Sequence, residues 1–153
     1  MELAKLHPFI VHFAIAFVIT GVVLDILGFL LKKDSLKNAG FWLVILSVPV
    51  IWFANFSGHQ AEELAEKTLE ITGGESILEQ HEKIGTLLSY LVTILGLVRL
   101  GIYFKPTNII FILLYVILGL SSLGVTLYTG RLGGILVYDY GAGVKIKIEN
   151  KAK

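Results

Sequence analysis

Four stretches of this chain, at about 8–31, 40–56, 84–104 and 108–128, are apolar for too long to suit a water-soluble fold. A bilayer core of roughly 30 Å is crossed by about 20 apolar residues in a helix, each advancing about 1.5 Å. Only a helix or a closed barrel satisfies its backbone polar groups in lipid, and continuous apolar runs of this length are helical. With 55% of its 153 residues hydrophobic and 16% charged, the chain has little material for a soluble shell. The expectation is an all-α membrane protein: a single domain over 1–153, built as a four-transmembrane-helix bundle with both chain ends on one side. The opening MELAKLHPF lacks the basic start and small-residue cleavage site of a secretory leader, so the first helix is read as retained.

Two connections are short and basic, Lys32 to Lys37 and Lys105-Pro106-Thr107. The positive-inside rule puts them in the cytoplasm of a multi-pass plasma-membrane protein, and so puts both termini on the extracytoplasmic side. The opposite connection, Ser57 to Lys83, carries seven Glu against two Lys. Arg131, Lys145, Lys147, Lys151 and Lys153, in the tail on the same side, weigh the other way. Within that connection Ala61, Leu64, Ala65, Leu69 and Ile71 recur at a helical period among acids, which predicts an outer amphipathic helix ending at Thr72-Gly73-Gly74. Ser76 with Glu79 reads as a capping box that starts the next helix. After the fourth span, glycines punctuate two β-prone runs, ILVYDY and VKIKI, so the tail 129–153 is expected to form a small C-terminal β-hairpin.

Ionisable residues inside lipid are candidates for function by default. Asp25 and Arg99 fall at matching depth in the first and third spans, which suits a structural ion pair. The histidines point further. His7, followed by Pro8, starts the first helix. His12 lies about 7.5 Å further on and about 140° round. His59 is expected to end the second helix, and His81 to stand one turn before the third enters lipid. All four therefore gather at one membrane face. Neutral imidazole is a ligand for haem iron, copper and zinc, and facing helices of a bundle can supply two such ligands. The chain has no cysteine, so thiolate ligands and covalent haem attachment are excluded from within it. A net charge of +1 without basic clustering gives no nucleic-acid signal.

Three segments carry a resemblance to a known family: HPFIVHF in the first helix, His81-Glu82-Lys83-Ile84-Gly85, and TGRLGGILVYDYGAGV in the tail. Together they resemble the prokaryotic membrane family named domain of unknown function 2231, over nearly the whole chain. His7, Pro8, Val11, His12 and Phe13 match its first motif, and Ala14 stands where proline is usual. Thr129, Gly130, Gly133, Gly134, Leu136, Val137, Tyr138, Gly141, Gly143 and Val144 match its last. Members look like small relatives of b-type cytochromes, so the resemblance implies a haem or redox role.

The leading expectation is therefore non-covalent haem b near the outer face, with His12 and His81 as the axial pair and electron transfer as the work. His7 and His59 are further candidate ligands, Gly133 and Gly134 would let a backbone approach the cofactor, and Arg131, Lys83 and Lys145 are candidates for the propionates. A copper or zinc site built from His7, His12, His59 and His81, with help from Glu62, Glu63 or Glu82, is the alternative. The third is a cofactor-free structural subunit of a membrane complex. Expected partners are the lipid bilayer, a redox protein or quinone, and a second copy of the chain. No nucleophile stands with a base at catalytic spacing, and no phosphate loop occurs, so the sequence does not decide whether the chain is an enzyme.

Overall fold

The computed structural model describes residues 2–144. It contains four helices in antiparallel succession: α1 (Glu2–Leu30), α2 (Asp34–Thr72), α3 (Glu75–Phe104) and α4 (Ile109–Tyr138). Each includes a segment long and apolar enough to cross a membrane. The helices stop where local chemistry stops them. Lys32 takes a left-handed turn at φ 54° between α1 and α2. Gly73, at φ 78°, closes α2, and its N–H and that of Gly74 both reach the Leu69 carbonyl. Asn108 caps α4 by accepting from the N–H groups of Ile110 and Phe111.

In sequence order each helix packs on the next, and α4 returns to α1 to close the bundle. The packing is inside-out relative to a soluble protein. Val22 and Val44 are fully buried, whereas Leu30 is 72% exposed and Phe104 76%. Lipid rather than water makes that distribution acceptable. Helices in lipid associate through close approach of small residues, since burying apolar surface gains little there. At Gly40 a Cβ would stand 2.6 Å from the backbone nitrogen of Asp25, and at Gly28 it would stand 2.6 Å from that of Lys37. The α1 and α2 backbones thus touch near the turn that joins them.

Asp25 and Arg99 lie in this same end of the bundle, 0% and 5% exposed. Arg99 grips the Asp25 carboxylate with two donors, Nε on Oδ2 and Nη2 on Oδ1, and Nη2 also donates to the Lys37 carbonyl at 3.2 Å. Phe29 and Phe41 flank the guanidinium, with ring centroids 5.5 and 5.0 Å away. The ion pair expected from depth matching is therefore formed, and it ties α1, α2 and α3 together.

The structure corrects several expectations. The C-terminal β-hairpin is not formed: no strand occurs among the described residues, and Thr129 to Tyr138, including most of ILVYDY, continues α4. Lys145 to Ile148 of the second run lie outside the described residues. The β propensity of Ile135, Val137 and Tyr138 is overridden because Leu132 and Leu136 are buried and Leu136 packs with Ala65 and Leu69 of α2. The outer amphipathic segment is no separate helix but the far end of α2, so His59 lies inside that helix rather than at its end. The capping box is absent: α3 begins at Glu75 after Gly74 without a side-chain cap, and Glu79 pairs with Lys83 instead. At 39 residues α2 is about 58 Å long, so its last third projects past a core of roughly 30 Å.

If the buried pair fastens this end, Asp25→Asn leaves Arg99 without its counter-charge and lowers unfolding stability in detergent by about 3–5 kcal/mol. The double variant Asp25→Leu with Arg99→Met should recover most of that loss. A single variant as stable as the parent would show that the pair does not fasten the helices.

Candidate functional site

The antiparallel order brings the start of α1, the middle of α2, the start of α3 and the end of α4 to one end of the bundle. His7 enters from α1 and is half-buried. Its Nδ1 lies 3.1 Å from the Ala54 carbonyl and 3.0 Å from Ser57 Oγ, while the Ser57 hydroxyl donates to the same carbonyl. A carbonyl only accepts, so Nδ1 carries the proton and Nε2 keeps its lone pair. Gly58 makes room for the ring, since a Cβ there would stand 3.1 Å from His7 Cε1.

His81 comes from α3, half-buried, and interacts electrostatically with His7. Its Nδ1 is buried without a hydrogen-bond partner, although the Thr129 carbonyl is close enough to act on the ring. Gly133 of α4 lies against it, with its Cβ position 3.3 Å from His81 Cε1. An orphaned imidazole nitrogen beside a glycine face is costly in apolar surroundings and marks a place where a partner is missing.

His12 is exposed, and its Nδ1 donates to the Pro8 carbonyl one turn back. The same logic leaves Nε2 of His12 bare. Its place on α1 follows from Ile15, which approaches the Cβ position of Gly130 in α4 at 3.9 Å. His12 precedes Ile15 by three residues, so it lies one turn nearer the end of the bundle and about 60° round. His81, at Gly133, stands one turn beyond Gly130 in the same direction. Ile15 of α1 and His81 of α3 thus approach α4 at successive turns, Gly130 and Gly133, while the His12 ring itself is exposed. Gly134 next to it has open space at its Cβ position.

The remaining candidates divide. His59 is exposed and is oriented toward Glu62 and Glu82, not toward the other imidazoles. Arg131 is exposed on α4 near the same end. Lys83 is held by Glu79, and Lys145 lies outside the described residues. Sequence reading passed over Ser57, Gly58 and the Thr129 carbonyl. The available signal was helical spacing: Ala54, Ser57 and Gly58 fall at i, i+3 and i+4 on one face of α2.

The arrangement can hold an electrophilic centre by nitrogen. Protein imidazoles that ligate metals donate their second N–H to a carbonyl or carboxylate, which fixes tautomer and ring plane. His7 and His12 already have that second contact.

The sequence profile of the predicted membrane proteins DUF2231 matches residues 4–146. The chain belongs to this family. That span takes in all four helices and every histidine of this DUF2231 protein. No curated protein and no solved structure matches it.

The tautomers are open to direct measurement. In imidazole ¹⁵N spectra of the DUF2231 chain in micelles, His7 and His12 should both show a protonated Nδ1 and a pyridine-like Nε2 under neutral conditions. A reversed pattern at His12 would contradict the Pro8 contact and the presentation of Nε2 with it.

Proposed function

We propose that this membrane protein binds haem b non-covalently at the histidine end of its bundle, with His12 and His81 as axial ligands, and serves in electron transfer. What supports the reading is that His12 and His81 come to the same end of the bundle, the first exposed with Nδ1 held by the Pro8 carbonyl and the second beside Gly133 with a buried Nδ1 that has no hydrogen-bond partner. Two neutral imidazoles on different helices are a suitable donor set for haem iron. Haem would supply one-electron chemistry.

The chain's own residues would do the rest. Pro8 fixes the plane of His12 through its carbonyl. Gly133 makes room for the His81 ring, and Gly134 leaves open space on α4 where a flat macrocycle would approach. Arg131, exposed on the same helix, would be the candidate partner for a propionate. His7, next to His81, tunes the charge around that ligand and is the substitute ligand if His12 is lost. The basic connections at the far end favour a plasma-membrane orientation with this site on the outer side, where a redox protein or quinone would exchange electrons.

A second reading is a copper or zinc ion on His7 and His81. The electrostatic influence of one ring on the other favours it, with His7 beside Gly58 and His81 beside Gly133, and a single ion needs less room than a macrocycle.

The deciding experiment is an absorption spectrum of protein produced with haem supplementation, oxidised and then reduced with dithionite. A Soret band that sharpens on reduction is expected, with haem content lowered at least about tenfold in His81→Ala. Protein without a Soret band removes the haem reading, and an equivalent of copper or zinc that is lost in His81→Ala supports the ion on these rings.

A further inference from the structure

The fourth histidine keeps different company. His59 and Glu62 stand three residues apart on one face of α2, and Glu82 reaches them from α3. His59 Nδ1 lies 3.0 Å from Glu82 Oε1 and 3.8 Å from Glu62 Oε2. One ligand atom from each of the three residues lies within 4.8 Å of the other two. The Glu62 and Glu82 carboxylates also interact directly with each other. The fold thus sets two like charges together, and among the described ion pairs only the His59 ring answers them. Lys83, one residue from Glu82, is engaged by Glu79.

The cluster faces a groove of about 420 Å³ that is further lined by Glu66, Glu75 and Glu79. A groove lined by one sign of charge concentrates cations at its mouth. One imidazole and two carboxylates are a donor set for zinc, cobalt or nickel, whereas calcium and magnesium take oxygen alone. Exposure of His59 leaves coordination positions open to water.

We propose that His59, Glu62 and Glu82 bind one divalent transition ion of the zinc class, at a site separate from the imidazoles that face α4. The ion takes the Nδ1 position that now faces Glu82, and the proton of the neutral ring moves to Nε2 as it enters. Bound there, it staples the projecting end of α2 to the start of α3.

The test uses full-length, tag-free protein in detergent, stripped with chelator and titrated with zinc chloride by calorimetry. One saturable equivalent is expected, together with a rise in unfolding temperature at excess zinc. The double variant Glu62→Gln with Glu82→Gln, checked for unchanged helicity, should weaken binding at least about tenfold and abolish the thermal shift. His81→Ala should leave both untouched, so loss of haem in that variant and loss of zinc in the other are independent results. The absence of saturable binding overturns the proposal, as does undiminished binding by the double variant. Loss of the zinc equivalent in His81→Ala also overturns it, by assigning the ion to the α4-facing rings.

Discussion

In hydrocarbon no water is available to satisfy a backbone amide, and the remainder of this structure follows from that constraint. Each span has to close its own hydrogen bonds, so each is a helix from one end to the other. The same constraint carries α4 through Gly130, Gly133 and Gly134 without a break. In a soluble protein three glycines within five residues would weaken a helix, but here an unravelled turn would leave carbonyls without partners. What glycine contributes instead is proximity. Its missing side chain lets Asp25 approach Gly40, His7 approach Gly58 and His81 approach Gly133.

Polar side chains then carry the specificity that apolar burial cannot. Apolar side chains on the outside and on the inside are nearly equivalent to lipid, so they do not by themselves select one packing. The Asp25–Arg99 pair does, because either charge alone in the core would be costly. It fixes which faces of α1 and α3 meet, and the Lys37 carbonyl brings in the start of α2. At the other end the Ser57 hydroxyl and the Ala54 carbonyl set the plane of His7 in the same manner.

The spans and the pairing of Asp25 with Arg99 were legible because both rest on length and depth, quantities that a helical rise converts directly from residue number. The common end of the four histidines was legible for the same reason. How they divide was not. His12 and His7 differ by about 140° around one helix, and which of the two faces the interior depends on how α1 is rotated against α2, which Gly21, Gly28 and Gly40 decide. The partnership of His59 with Glu82 depends on α2 continuing far past the membrane, and the acidic composition of that segment had suggested a separate surface helix instead. The tail misled for a related reason. Alternating branched and aromatic residues with glycines have the local look of strands, and only the burial of Leu132 and Leu136, with Leu136 seated against α2, reverses that preference.

The long α2 helix gives the molecule unequal ends. Where α1 turns into α2, backbones touch and opposite charges lock; at the far end, imidazoles and carboxylates lie near a small apolar cluster of Ala65, Leu69 and Leu136. The tightest fastening, among Gly40, Asp25 and Arg99, accordingly lies at the end opposite the histidines. Structural fastening and the cluster of titratable side chains are thus assigned to opposite ends of the same bundle.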